Sequence, residues 1–463
     1  MFRLPPFADA TPAVIAALTD MGRPGGLLDA HDDLAKGPVL LITDLHLSLN
    51  NPNNTTHTAG TTFMGQFMDH DMTFDIGSPL GVPTRPESSA NGRTPAFDLD
   101  SVYGGGPTVS AYLYQTADLA KLNIGFGGRF EDLPRTTDKR AIIAEGRNDE
   151  HVILAGLHAA FILFHNRAVD HVRAGGARPK GVFEKARELT VWHYQWMILH
   201  EFLPLFVGQP MVDDILQRGR RYYRPDGDAF MPVEFQGAAY RFGHSMVRPS
   251  YRANFTGNPG NTPFFGLIFD PAEEGKPDPN DLRGGALASR RFVDWQTFYD
   301  FGDANVKPNK KIDTKLSSPL FNLPLGAIAS HDGPTSLPVR TLLRGLTWSL
   351  PSGQAIARRI GAPVLGRSDF TELAHYNVGF DENTPLFYYI LKEAQMLAAG
   401  EHLGPVGGRI VGEVIIGLLQ TDPAGYLSQN PQWTPSLPKR GSSFKMIDFL
   451  TFARVDPLSR ATP

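Results

Sequence analysis

The sequence predicts a mostly α fold: one large helical domain with long irregular loops and little β structure. Two observations carry this. Apolar residues recur at helical spacing over long windows, notably 151–172, where Leu154, Leu157, Phe161 and Phe164 share a face, and 183–203. Gly 47 and Pro 38 are high for a helical protein and imply long connections between helices. No repeat, low-complexity tract or convincing linker divides the chain. Residues 1–37 read as an N-terminal arm and 38–463 as a single domain.

Taken in order, Thr11 and Pro12 suit the N-cap and N1 of a short helix ending near Met21. Residues 50–54 read as a loop, and Thr61 as the cap of a helix that carries Phe63 and Phe67. Residues 77–93 are rich in Pro, Gly, Ser and Asn and are expected to be irregular, and 94–103 to form a compact acidic loop. A strand or hairpin is expected within 112–126, and a polar stretch, 134–148, leads into helix 151–172. Helix 183–203 ends at Pro204 with Gly208 beyond, and 235–247 is a third apolar-periodic stretch. Residues 254–287 read as loop, 292–301 as helix, and 338–346 and 352–360 as short helices, the latter capped by Ser352 and stopped by Gly361. The last helices are expected at 384–399, 409–419 and 444–453.

Composition narrows the chemistry. Lys plus Arg is 44 against 48 for Asp plus Glu, a net of -4 with no long basic run, which argues against a nucleic-acid footprint. The absence of cysteine excludes disulfides, thiolate metal sites, a cysteine nucleophile and Cys-ligated haem or iron–sulfur clusters. Bound iron, zinc or calcium must use His, Asp, Glu or other oxygen ligands. The first residues, with prolines and no apolar run after a basic start, do not read as a secretory signal. The most apolar helical segment, 152–164, is too short to span a bilayer. A soluble protein is expected, either cytoplasmic or exported without a leader, and nothing fixes its oligomeric state.

The stretch Gly65-Gln66-Phe67-Met68-Asp69-His70-Asp71 is the chemical centre of the sequence. On a helix Gln66 and His70 stand one turn apart and Asp69 lies at i+3 from Gln66, while Asp71 points elsewhere. An amide, a carboxylate and an imidazole on a helix that must also bury phenylalanines form either a satisfied core network or the wall of a site.

Further motifs align with this one. They are Thr94-Pro95-Ala96-Phe97-Asp98-Leu99-Asp100 before Val102-Tyr103-Gly104, Arg147-Asn148-Asp149-Glu150 entering a helix with His158 and His165, and Arg241-Phe242-Gly243-His244. Together, over residues 38–420, they resemble the animal-type haem peroxidases of the peroxidase–cyclooxygenase superfamily, through bacterial-type members. The resemblance implies a helical haem peroxidase domain. It makes His244 the proximal iron ligand, and His70 the distal base and acid that moves the proton of hydrogen peroxide between its oxygens. Arg147 becomes the fixed cation that stabilises developing charge and holds His70 neutral. Gln66 is to hold a distal water or substrate oxygen. Arg241, Thr341 and Arg344 are assigned to the cofactor's surroundings. Asp69 and Glu150 match the carboxylates that in mammalian members form ester links to haem b. His151 stands where members with a sulfonium link have methionine, so no such link is expected.

The same resemblance implies a calcium site from Asp71, Thr94, Ala96, Asp98 and Asp100. Mammalian members usually carry serine where this chain has Asp100, and the added charge should tighten the site or admit another oxygen-loving ion. A metal held by Asp71 would pin the backbone of His70. On the proximal side the family's asparagine partner is replaced by Thr341. A weaker or water-mediated contact is expected, which a bond to His244 shorter than about 3.2 Å would contradict.

The implied activity is oxidation of small donors, such as phenols, aromatic amines, halides or thiocyanate, by hydrogen peroxide. A fatty-acid dioxygenase on the same fold is the first alternative. Its radical tyrosine would stand three residues before the proximal histidine, where this chain has Arg241, with Tyr240 one place earlier. A non-catalytic haem-binding or adhesion module is the second. Elsewhere His158 and His165, seven residues apart, lack a ligand spacing and read as core or capping residues. Trp192, His193, Trp196 and His200 read as packing. Gly104-Gly105-Gly106 and Gly125-Phe126-Gly127-Gly128 lack the context of phosphate loops.

Overall fold

The computed structural model describes residues 1–461, apart from Leu45, Ser48, Gly128, residues 286–288 and Ala329. Gly128 of the glycine run and residues 286 and 287 of the expected loop therefore lie outside the described residues.

The fold is mostly α, with four small two-stranded sheets among the described residues. Helix Gly60–Met72 lies at its centre. Phe67 on this helix stacks on Phe161 of helix Val152–Ala174, with ring centroids 4.5 Å apart, and Tyr194 of helix Val182–Met197 meets both rings edge-on. Phe63 meets Tyr251 and Phe298 in the same manner. Burying such aromatics is what fixes the helix in place.

A second group of helices, Leu337–Thr347, Gly353–Ile360, Leu386–Leu397 and Pro405–Thr421, completes the molecule. Ser352 caps and left-handed Gly361 ends the second of these, as expected. The N-terminal helix Pro12–Gly22 packs against Leu337–Thr347. Their backbones approach so closely that a Cβ at Gly22 would sit 2.7 Å from the Val339 nitrogen.

Several expectations are corrected. Thr61 does not cap the central helix: Ala59 occupies the N-cap and Thr61 lies inside. The ring of Tyr299 sets the start. Its hydroxyl donates to the Gly60 carbonyl at 2.9 Å, and a Cβ at Gly60 would meet the ring at 2.3 Å. Residues 53 and 54 are not loop, because strand Asn53–Thr58 pairs antiparallel with Pro308–Lys310. The first part of 254–287 is not loop: Ser250–Asn258 and Thr262–Leu267 form a hairpin around the turn Pro259-Gly260-Asn261, while 268–285 is irregular as expected, with one 3-10 turn, Pro271–Glu273. Residues 292–301 contain one 3-10 turn, Trp295–Thr297. The stretch 235–247 is broken into Val233–Gly237, Ala239–Phe242 and Gly243–Met246, because Ala238 leaves helical geometry at φ -144.

The helix expected at 183–203 runs to Met197 and continues through a π-helical turn, Ile198–Phe202, into Leu203–Val207. The helix expected at 151–172 is Val152–Ala174, and its apolar part runs past the 152–164 judged too short to span a bilayer. Val152–Ala174 has 23 residues, enough in length and hydropathy to cross a bilayer, yet 83% of that window is buried inside the protein. It is the core helix of the fold.

Candidate functional site

A cavity of about 280 Å³ opens between the central helix and the segment around Gly243–Met246. Gln66, Asp69, His70, Arg147 and Glu150 line one wall, and Arg241 and His244 the opposite one, with Arg340 and Arg344 also in the lining. Thr341 stands behind His244. A second cavity of about 540 Å³ shares Phe74, Arg147, Glu150 and Ala327 with the first.

His70 is buried, 5% exposed. Its Nδ1 lies 3.0 Å from Asn148 Oδ1, and Asn148 Nδ2 donates to His158 Nδ1 at 2.9 Å. An amide oxygen only accepts, so His70 carries its proton on Nδ1 and keeps a lone pair on Nε2. Burial, and then the charge of Arg147, hold the His70 pKa well below its usual value. Burial alone brings that of His151 to about 3.

His151 caps helix Val152–Ala174 by accepting from Leu154 N at 3.2 Å through Nδ1. Its Nε2–H therefore donates to Gln66 Oε1 at 2.9 Å, and Gln66 Nε2 donates to Glu150 Oε2 at 3.0 Å. Both ends of the Gln66 amide are engaged by protein. Burial outweighs the charge of Arg147 and pushes the Glu150 carboxyl up to about 8. Asp69 accepts from Thr73 Oγ1 at 3.0 Å.

Arg147 donates through Nη2 to the carbonyls of His70 and Thr73, at 3.2 and 2.6 Å, and lies over the ring of Phe74. Its Nε and Nη2 also hold the two oxygens of Glu145, each at 2.9 Å. Burial works against the Glu145 charge, but the bonds and charge of Arg147, with His70 and Arg93 behind, bring its pKa to about 2.

On the opposite wall, Thr341 Oγ1 donates to the Leu337 carbonyl at 2.9 Å and stands 3.3 Å from His244 Nδ1. This is a long contact, beyond the 3.2 Å that would have contradicted the sequence reading. Burial, then the charge of Arg241, lower the His244 pKa to about 3, so its imidazole is neutral. Arg241 donates to the Gln236 carbonyl, and Arg344 pairs with Asp75 at 2.7 Å. Tyr240, also in the lining, donates to the Gly65 carbonyl at 3.1 Å.

A separate cluster lies away from the cavity. Ligand oxygens of Asp71, Asp98 and Asp100 come within 4.8 Å of one another. Asp71 is wholly buried; Ser101 donates to it through Oγ at 2.6 Å. Burial and the charges of Asp98 and Asp100 raise its pKa well above the carboxylate range, and burial also raises those of Asp98 and Asp100. Three crowded carboxylates with raised pKa are the chemistry a divalent cation relieves. Thr94 is exposed and Ala96 half-buried on the same loop.

Sequence reasoning missed Glu145, Asn148, His151 and Ser101 as members of these networks and read His158 as core. Glu145 two places before Arg147, and an amide inside the Arg-Asn-Asp-Glu motif, were the available signals. His165 keeps a core role, bonded to Tyr103 Oη and the Ala120 carbonyl.

The family model described as animal haem peroxidase matches residues 76–273. The chorion peroxidase of Aedes aegypti is 27% identical over 225 residues, 44% of this chain and 28% of that protein. The matched region spans less than a third of the curated relatives' own length. Among solved structures, peroxidase A from Dictyostelium discoideum superposes with a TM-score of 0.61 at 17% identity, covering 87% of this chain and 85% of that one. Oryza sativa fatty acid alpha-dioxygenase superposes with a TM-score of 0.54 at 14% identity, covering 87% and 73%. The resemblance read from the motifs is borne out by the family match, and the fold is shared with these two solved structures.

Proposed function

From a chain that carries the animal haem peroxidase match over residues 76–273, we propose a haem peroxidase that uses hydrogen peroxide to oxidise small donors. The observation that carries this reading is that two imidazoles from separate elements, buried His70 of helix Gly60–Met72 and half-buried His244 of Gly243–Met246, line one cavity together with Arg147. The residues fit the cofactor. His244 is backed at Nδ1 by Thr341, leaving Nε2 as the ligand nitrogen, and Asp69 and Glu150 are the carboxylates available for ester links to haem b. Bound haem supplies the two-electron redox chemistry that no side chain here can provide.

The chain's own part is proton handling and charge stabilisation. His70 Nε2 takes a proton from hydrogen peroxide and returns it to the departing oxygen as water forms. Arg147 keeps a fixed positive charge beside it, and Gln66, locked by His151 and Glu150, orients a water or substrate oxygen. Asp71, Asp98 and Asp100, with Thr94 and Ala96, hold calcium and thereby fix the backbone that carries His70. Phenols, aromatic amines, halides or thiocyanate reach this site through the adjoining larger cavity.

The absorption spectrum of the purified protein tests this, before and after acid–acetone extraction and peroxide addition. A Soret band that responds to peroxide is expected. His70→Ala and Arg147→Ala should keep the band and slow the peroxide reaction by at least about tenfold. Unchanged rates remove both assignments, and a protein without haem removes the reading.

A second reading draws on Tyr240 in the cavity wall and on the dioxygenase among the fold neighbours. Fatty-acid dioxygenation would appear as haem-dependent oxygen uptake with linoleate or arachidonate, without added peroxide.

A further inference from the structure

The hydroxyl of Tyr103 lies 3.0 Å from Nδ1 of His165, and both residues are wholly buried. The other ring nitrogen, Nε2, lies 2.9 Å from the Ala120 carbonyl, which can only accept. His165 therefore carries its proton on Nε2, keeps a lone pair on Nδ1 and receives the Tyr103 O–H. Burial holds the His165 pKa at about 4, so the imidazole is neutral. A tyrosine gives up an electron readily only where its proton has somewhere to go, because loss of the electron alone leaves an unpaired buried charge. Here Arg187 adds to that cost, with its guanidinium 5.2 Å from the Tyr103 ring centre, so the electron can leave only together with the proton. Other tyrosines lack this arrangement. Tyr240 and Tyr299 donate to backbone carbonyls, which take no proton. Tyr376 and Tyr388 donate to Asp20 and Glu372, which Arg23 and Lys392 already hold. Tyr426 has an imidazole nitrogen of His200 at a longer 3.3 Å, and His200 is exposed. Helix Val152–Ala174 joins the Tyr103 pair to the cavity. His70 in the cavity wall is bonded to Asn148 and Asn148 to His158, and His165 stands seven residues beyond His158 on the same face, about 10 Å along the axis. Electrons cross such a span of packed protein by tunnelling.

We propose that Tyr103, with His165 as its proton acceptor, is an internal one-electron donor to the haem site and stores an oxidising equivalent that no external donor has yet reduced. The proposal rests on the haem peroxidase reading, which supplies the oxidant: hydrogen peroxide acting through bound haem. In the step the Tyr103 O–H bond breaks. The proton forms a bond to His165 Nδ1, the electron passes to the oxidised haem, and a neutral phenoxyl radical remains beside an imidazolium. The imidazolium keeps its Nε2–H bond to the Ala120 carbonyl, and the transferred proton stays within the pair. When an external donor later supplies an electron, the proton returns from Nδ1 and both groups are restored. Burial keeps the radical from coupling with another molecule in the meantime.

Freeze-quench electron paramagnetic resonance of the haem-loaded protein, mixed with an equimolar amount of hydrogen peroxide and no donor, tests this. A tyrosyl signal is expected. Tyr103→Phe should lose it while the Soret band and its first response to peroxide stay. His165→Asn is the sharper variant, because its amide oxygen still accepts from the Tyr103 hydroxyl but takes no proton. The signal should be lost there too, whereas a purely structural pair would leave it unchanged. Where Tyr103→Phe fails to fold, His165→Asn carries the test alone. Side-chain nitrogen NMR of the purified protein, labelled with nitrogen-15 histidine, reads the pair whether or not haem is bound. His165 Nδ1 should resonate as an accepting nitrogen and Nε2 as a protonated one. A proton on Nδ1, or a tyrosyl signal that survives His165→Asn, overturns the proposal. So does a Soret band with a normal peroxide response and no tyrosyl signal, an outcome that leaves the peroxidase reading standing. A protein without a Soret band removes that reading and, with the oxidant gone, the proposal as well.

Discussion

His70 gives its Nδ1 proton to Asn148 Oδ1 across 3.0 Å, and that bond decides which nitrogen of the imidazole is free to act as a base. Asn148 can play this part because its own amide is fixed by His158 at 2.9 Å. Removing the amide should let the His70 ring change tautomer and leave two buried imidazole nitrogens without partners. Asn148→Ala is expected to slow association of peroxide and of cyanide by about tenfold or more in stopped-flow measurements, with the Soret band retained.

The contact behind His244 is long because the Thr341 hydroxyl also serves the Leu337 carbonyl. Asparagine at this position would offer an amide oxygen that reaches further and accepts more strongly. Thr341→Asn should make His244 a stronger donor to iron and lower the ferric/ferrous potential by some tens of millivolts. A spectroelectrochemical titration reads this directly, and a shift to higher potential would contradict the role assigned to Thr341.

Glu150 links pH to stability. Its pKa is about 8 in the folded protein against an ordinary 4.5, because burial disfavours the carboxylate. Folding therefore takes up a proton between those two values, and stability must fall as pH rises through that interval. The contribution is fully lost only above about pH 8 and amounts to a few kcal/mol at most. Haem-free protein should show a falling Tm from pH 5 to pH 8, and Glu150→Gln should flatten that slope.

The crowded carboxylates of Asp71, Asp98 and Asp100 should make the protein sensitive to chelators. Calcium at a hundred times its Kd would add about 2.7 kcal/mol of stability. Tm at neutral pH should fall by several degrees on adding EDTA and return with calcium. Asp98→Ala should abolish the response, because Asp71 and Asp100 alone leave the ion short of ligands.

The local parts of this architecture were legible in the sequence. Helix periodicity located Gly60–Met72, Val152–Ala174 and Leu386–Leu397, and short motifs named the residues on both cavity walls. What escaped was non-local. Asn53 and Asn54, the start of strand Asn53–Thr58, read as loop because the strand partner, Pro308–Lys310, lies far along the chain. The hairpin Ser250–Asn258 with Thr262–Leu267 was hidden by the turn residues of its tip and of the irregular stretch that follows it. Ala238 breaks an apolar-periodic run, so Arg241 and His244 come from two short turns and not one helix. Glu145, Asn148 and His151 were invisible as functional groups because their roles depend on which polar atom faces which, and spacing does not carry that information.

The two walls of the cavity also differ in when they can exist. Gln66, His70, Arg147 and Glu150 all come from the first third of the chain, with Asn148 and His158 beside them. His244 arrives later, and Thr341 and Arg344 later still. On a ribosome that delivers roughly 5–20 residues per second, one wall waits many seconds for the other. Until helix Leu337–Thr347 emerges, a planar cofactor has a floor but no lid, and His244 has nothing behind it. On the haem peroxidase reading proposed above, cofactor loading therefore waits for the second wall and is a late step in the making of each molecule.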